Sequence, residues 1–254
     1  TKAGTCRLGS QENVSEANIV LNTIVADAFS KFADEMEGAK DTAKAAEKII
    51  ARELKAHYRI IFNEDGYGPD WEHEAERRGL LNHKTTADAV PVCFEEDNIS
   101  VFVRQGVYTK GEAVARADIQ LENYVKIINI EALTMLEMAK RDITPAVSDY
   151  VAALCANIAA KQAVNEELPC TGEKQTVTVL ATLNDEVYSL CGKLEEELKK
   201  IKLTDVRSAS QDMAHKILPI MQEIRLRVDR METLTAADYW PYPTYFDLLY
   251  SVNN

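Results

Sequence analysis

The feature that most constrains this chain is a strict apolar spacing in its last third. Val177, Leu180, Asn184, Val187, Cys191, Leu194, Leu198 and Ile201 follow one another at intervals of 3, 4, 3, 4, 3, 4 and 3 residues. That average of ~3.5 puts all of them on one stripe of a helix, and the stripe needs a second helix to cover it. A second run answers it: Val206, Ser210, Met213, Ile217, Ile220, Ile224, Arg227, Met231 and Leu234. Only Lys202 to Thr204 separates the two. A connection that short forces the neighbours to pack antiparallel. Glu173 to Leu234 therefore reads as an αα-hairpin, with Pro219 as a kink. Two such seams also suit a coiled-coil dimer, but the hairpin geometry favours an internal bundle. Asn184 and Arg227 are polar at seam positions and set the register in either arrangement.

The rest of the chain carries the same signature less regularly. Gly (10) and Pro (7) are scarce in 254 residues, and few turn-makers mean long helices. A helix is expected from Ser15, read as its N-cap, to Gly38 as C-cap, with Ile19, Val20, Thr23, Ile24, Ala26, Ala28, Phe29 and Phe32 inward. A second runs from Asp41 to about Phe62, with Ala45, Ile49, Ala56 and Ile60 inward. Asn63 to Asp70 is the richest turn cluster. Short helices follow from Asp70 to Arg78, ending at Gly79, and from Thr85 or Thr86 to a stop at Pro91. Val101-Phe102-Val103 has strand-forming residues but sits between helical signals, so strand and helix both stay open there. From Glu112, Val114, Ala117, Leu121, Tyr124, Ile128, Met135 and Met138 give a long helix. Ile127, Leu133 and Leu136 widen its apolar stripe, so it is expected to pack on more than one side. Pro145 either starts a new helix capped by Thr144 or kinks a continuous one. Asn165 to Gly172 is a linker. The expected fold is all-α, a multi-helix bundle of long, partly kinked helices with the antiparallel hairpin near its C-terminus and little or no sheet.

Charge and motifs exclude several function classes. Lys and Arg number 29 against 41 Asp and Glu, a net charge of −12. A chain this acidic repels phosphate backbones, which argues against nucleic acid or an anionic membrane as main partner. No apolar run approaches the ~18 residues of a membrane span, and the N-terminus shows no signal-peptide pattern. Cys6, Cys93, Cys155, Cys170 and Cys191 are odd in number, widely spaced and form no C-x-x-C. They read as reduced thiols of a cytoplasmic protein. There is no nucleophile elbow, phosphate loop or dinucleotide fingerprint. His73 and Glu76 share a helix face but lack a third ligand, so a solvated face is the expectation rather than a metal site. Gly66-Tyr67-Gly68 reads as turn chemistry. Asn63-Glu64-Asp65 lacks the spacing of a calcium loop.

The least ordinary feature is the aromatic tail, Tyr239-Trp-Pro-Tyr-Pro-Thr-Tyr-Phe-Asp-Leu-Leu-Tyr250. Pro241 and Pro243 stiffen a strap on which Trp240, Tyr242, Tyr245 and Phe246 offer large apolar area with polar tips. Such a strap either folds over its own domain or docks on a neighbouring domain or subunit. Its expected seat is the edge helix between Asn18 and Phe29. The chain opens on Thr1 rather than Met, so it is either processed or part of something longer.

Four stretches together resemble type III glutamine synthetases: the tail through Val252; Gly9-Ser10 with Val14-Ser-Glu-Ala-Asn18 and Val20-Leu-Asn-Thr-Ile-Val-Ala26; His57-Tyr-Arg-Ile-Ile-Phe-Asn63 through Trp71, Glu74-Ala-Glu76, Arg78-Gly-Leu-Leu-Asn82 and Lys84-Thr-Thr86; and Glu131-Ala-Leu-Thr-Met135. The resemblance covers nearly the whole chain. It implies that residues 1–38 are the trailing edge of a catalytic domain and 39–254 a type III-specific helical C-terminal domain, with the aromatic tail at 239–252. It implies a parent ligase that joins ammonia to glutamate through a γ-glutamyl phosphate, using ATP and Mg2+ (or Mn2+), cytoplasmic and built as dodecamers of two hexameric rings. Its substrate, ATP and metal sites lie mostly upstream, so this segment carries no cofactor of its own and contacts the catalytic domain and neighbouring subunits. Arg7 stands one position from the family's phosphate-facing arginine, in a stretch without the family's preceding Glu. The alternative is an autonomous α-helical scaffold or adaptor that binds partners through its bundle.

Overall fold

The computed structural model describes residues 14–63, 65–66, 68–243 and 245–250. They are helical and connecting segments, with no strand among the described residues. The order is α1 (Ser15–Met36), α2 (Thr42–Ala56), α3 (Pro69–Arg77), α4 (Thr86–Ala89), α5 (Glu96–Arg104), α6 (Lys110–Met138), α7 (Thr144–Val164), α8 (Thr171–Lys200), α9 (Val206–Asp212), α10 (Leu218–Glu232) and α11 (Tyr245–Tyr250). The chain forms two compact units, Thr1–Glu122 and Asn123–Asn254.

The second unit is the bundle that the seams required. Leu180, Val187, Cys191 and Leu194 of α8 are buried, as are Met213, Ile217, Ile220, Ile224 and Met231 on the returning arm. These residues share one core with Val125, Ile128, Ala132, Leu136, Ile143 and Val147. So α8 is flanked by α7 and α10. The seams are used within the chain. Asn184 donates from Nδ2 to the Ser148 hydroxyl at 2.9 Å and the Thr144 carbonyl at 3.3 Å, tying α8 to α7. Arg227 pairs with Glu186 across the hairpin at 3.0 Å and with Glu223 on its own helix. Arg227 is thus paired at the rim, and Asn184 is tied through its amide nitrogen while its Oδ1 is buried without a hydrogen-bond partner; the two contacts fix which turns face each other.

Pro145 and Pro219 are handled in the same way. Each is the second residue of an α-helix that continues directly from a five-residue π-helical turn, Ala139–Ile143 before α7 and Met213–Ile217 before α10. Proline cannot donate to the preceding turn and its ring crowds the carbonyl four residues back. Widening that turn by one residue relieves the clash without ending the helix. Residues 110–164 therefore form one continuous 55-residue helix. Of the two readings of Pro145 the continuous helix is the one realised, and Thr144 makes no cap. Continuity also corrects the reading that no segment approaches a membrane span: by length and composition alone this helix is long and apolar enough to cross one.

In the first unit α1 departs most from expectation. Val14, not Ser15, occupies its N-cap position, and Gly38 beyond its end has φ +78° as a C-terminal glycine should. The helix buries Thr23 (3% exposed) and Asp27 (6%), while Val20, Ile24 (44%) and Phe29 (66%) are exposed. The cause lies 77 residues away. Arg104 and Gln105, at the end of α5, donate to Asp27 Oδ1 at 2.8 and 3.1 Å, and Lys31 pairs with Oδ2 at 2.9 Å. A carboxylate held by three donors is seated inward, and the apolar side turns out.

Smaller corrections follow. Asp41 is the N-cap of α2, accepting from the Lys44 amide at 3.1 Å, and α2 ends at Ala56 in a 3-10 turn (Tyr58–Ile60). Ile49 is buried, whereas Ala56 and Ile60 are exposed. Thr85 caps α4, which ends at Ala89 ahead of Pro91 as expected, and Pro91 itself sits in the 3-10 turn Val90–Phe94 that follows. Val101 to Val103 belong to α5, not to a strand. Glu96 and Asp97 in its first turn, Arg104 in its last and Ile99 turned inward outweigh the β-branched residues. Ile127 and Leu133 of α6 are exposed, so that helix does not bury a widened stripe.

Candidate docking site

The aromatic strap follows α10 directly. Thr235, buried, donates its hydroxyl to the Met231 carbonyl at 2.8 Å and so closes the helix end. The Trp240 amide turns back to the carbonyls of Ala236 and Ala237. Tyr239 then packs its ring on Tyr150 of α7, centroids 5.1 Å apart. Trp240 and Tyr242 lie against the core shared by α7, α8 and α10. The Tyr242 hydroxyl donates to Asp142 Oδ2 at 2.6 Å, and Asp142 stands in the π-turn that precedes Pro145. Burial, reinforced by the Asp142 carboxylate, pushes the Tyr242 phenol up to about 12. The strap thus latches the widened turn of the long helix. Edge helix 18–29 was the expected seat; what Trp240 packs against is the core of its own bundle.

The tail changes character after Pro243. Tyr245 and Phe246 begin α11, and their side chains lie outside the described set. Leu248, Leu249 and Tyr250 on the same short helix are exposed. Arg7 also lies outside the described residues.

A second constellation surrounds the turn cluster after α2. Arg78, beyond the end of α3, donates to the carbonyls of Arg59 and Ile61 at 3.2 and 2.8 Å and pairs with Glu74. Its guanidinium lies over Phe62, which in turn packs on Trp71 at 4.4 Å. Arg77 and then Arg78 hold the Glu74 carboxyl down at about 2. An open depression of about 580 Å³ is lined here by Tyr58, Phe62, Asn63, Asp70 and Arg78 among others. Its Arg78 and Glu74 are paired with each other, and Arg78 also holds the Arg59 and Ile61 carbonyls, so it reads as a clamp that holds 58–62 on α3. Sequence reasoning missed this clamp because Arg78 and its carbonyl partners are 17 to 19 residues apart.

Among the described residues no three or more His, Cys, Asp or Glu side chains converge to hold a metal. What the chain offers is a latched bundle with apolar surfaces at α1 and α11.

Comparison with known proteins links the chain to glutamine synthetases. Residues 45–162 match the model of the glutamine synthetase C-terminal domain. A glutamine synthetase of Butyrivibrio fibrisolvens is 34% identical over 206 residues, 81% of this chain and 29% of that protein. The type-3 glutamine synthetase of Dictyostelium discoideum is 29% identical over 96% of this chain and 34% of its own length. A glutamine synthetase of Bacteroides fragilis (strain YCH46) is 23% identical over 96% of this chain and 35% of its own length. The chain belongs to the glutamine synthetase C-terminal domain family through residues 45–162. It spans about a third of the length of these relatives. This glutamine synthetase region is all-α, and both the Arg78 clamp and α6 fall inside the matched segment.

Proposed function

We propose that this chain is the assembly region of a type III glutamine synthetase, a ligase that makes glutamine from glutamate and ammonia with ATP and Mg2+ (or Mn2+) through a γ-glutamyl phosphate. The chain alone is inactive. Residues 1–38 are the trailing edge of the catalytic domain, and residues 39–254 are the helical extension. The observation that carries this reading is the inverted α1. Asp27 and its three donors hold the helix by its polar side, and Leu21, Ile24, Val25 and Phe29 are left exposed. A contiguous apolar face of that size is a docking surface on a water-soluble protein, and in the full enzyme the catalytic domain covers it. The tail divides its work. Trp240 and Tyr242 close the bundle, while Tyr245, Phe246 and the exposed Leu248, Leu249 and Tyr250 reach a neighbouring subunit of a cytoplasmic oligomer. The parent's dodecamer of two hexameric rings is part of the same proposal.

Intact mass and N-terminal sequencing of the native polypeptide test this reading. The expected product is about three times the 28.4 kDa of this chain, from the share of its relatives that the chain spans. A native 28.4 kDa product beginning at Thr1 would overturn it in favour of an autonomous helical adaptor.

A further inference from the structure

The long helix has a second side that the bundle does not use. Its buried line runs through Val125, Ile128, Leu136, Ile143 and Val147. On the opposite side the first half presents large residues, Ile127, Ile130 (62% exposed) and Leu133. Past the π-turn the same side presents small ones, Pro145, Ala152 and Ala156, all exposed. The one-residue widening keeps the two halves in line, because it absorbs the drift that a straight helix would accumulate.

The charges along this line are ordered. Lys126, Glu137, Arg141 and Asp149 follow one another as plus, minus, plus, minus, all exposed. Reversed, the line reads minus, plus, minus, plus. Two copies laid antiparallel about a point between Glu137 and Arg141 therefore bring Lys126 toward Asp149 of the second copy, and Glu137 toward Arg141. Glu137 and Arg141 already pair at 2.8 Å within one chain, so they can exchange partners. The same alignment sets Ile127, Ile130 and Leu133 of one copy over the small residues of the other. Large against small lets helices approach closely. On a chain of net charge −12, this line is charge-balanced and self-complementary.

We propose that the outer line of α6 and α7 is a self-docking surface, on which a second copy of this chain packs antiparallel with its centre at the π-turn. The inference concerns the 254-residue chain itself and does not rest on the ligase reading. The line from Lys126 to Asp149 is about 35 Å long at the rise of an α-helix. One helix pair of that length buries less than a standard interface, so the dimer is weak. A bilayer is the other apolar environment that a helix of this length can enter, but four charges recurring along its outer side are costly in hydrocarbon.

Sedimentation velocity of the chain tests the proposal. The expected weight-average mass rises from 28.4 kDa toward twice that value between about 10 and about 300 µM. Ile130→Asp, an exposed position that leaves the bundle core intact, weakens association ~10-fold or more with unchanged helix content. Lys126→Glu weakens it, and adding Asp149→Lys restores it. A monomer throughout that range overturns the proposal. So do association indifferent to Ile130→Asp, failure of the double charge swap to restore it, and co-flotation of the monomer with phosphatidylcholine vesicles.

Discussion

Leu194 is fully buried, 0% exposed, in the core where α8 is flanked by α7 and α10. Leu194→Ala removes three carbons from that core. At ~0.8 kcal/mol for each buried methylene or methyl, the transfer cost is about 2.5 kcal/mol. The void left between helices pinned by Asn184, by the Arg227–Glu186 pair and by the Tyr242 latch cannot collapse fully, so a cavity cost adds to it. The expected loss is ~3–5 kcal/mol, which for a chain of this length lowers the melting temperature by about 10 °C. Urea unfolding followed by far-ultraviolet circular dichroism checks this, with a lower midpoint at unchanged slope as the sign of a pure stability change. Leu226→Ala is the control. It lies on α10 but is 53% exposed, and its expected cost is under about 1 kcal/mol. A loss under about 1 kcal/mol at Leu194, or equal losses at both positions, would refute the reasoning that the 3,4 seam is the core.

Further predictions concern the two polar anchors. The donors Lys31, Arg104 and Gln105, outweighing burial, hold the Asp27 carboxyl at about 2. A depressed carboxyl contributes stability above its unfolded value of 3.8 and loses it as pH falls toward 2. The first unit is therefore expected to weaken between about pH 4 and about pH 2, and Asp27→Asn to lower its thermal stability at pH 7 while flattening that acid limb; an unchanged acid limb would count against the anchor. Tyr242 has the opposite sign: its raised phenol favours the protonated, folded form, so its contribution is present below about 10 and lost as pH rises toward 12. Tyr242→Phe keeps the ring and removes the bond to Asp142, with an expected cost of at most ~1 kcal/mol at neutral pH and a weaker alkaline dependence in melts at pH 9 to 11. Deleting residues 239–254 removes Trp240 from the core as well and is expected to lower the melting temperature by several degrees; no change would say the strap is not a latch.

What was legible in the sequence follows from where the determinants lie. The hairpin was readable because both arms bury a continuous stripe, and the period of that stripe is written in adjacent residues from Val177 to Leu234. The face of α1 was not readable. Its period is clear, but the choice of inward side is made by Asp27, which pairs with Arg104 and accepts a hydrogen bond from Gln105 at the end of another helix. Apolar spacing also cannot reveal a single inserted residue, so the π-turns before Pro145 and Pro219 stayed hidden although the prolines themselves marked the places. The short run Val101 to Val103 stayed ambiguous because its β-branched residues favour a strand while the charges flanking it favour a helix. Of the docking residues, Trp240 and Tyr242 were identifiable by composition, while their seat on the bundle and the partner Asp142, 100 residues upstream, were not.

The central claim is that this region serves a ligase as framework and does no ligase chemistry by itself. The most direct test is ATP-dependent formation of γ-glutamyl hydroxamate from glutamate and hydroxylamine by the pure, folded 254-residue chain with Mg2+ or Mn2+. The account predicts no product above an ATP-free blank. Product that scales with the chain's concentration and disappears on unfolding would contradict it.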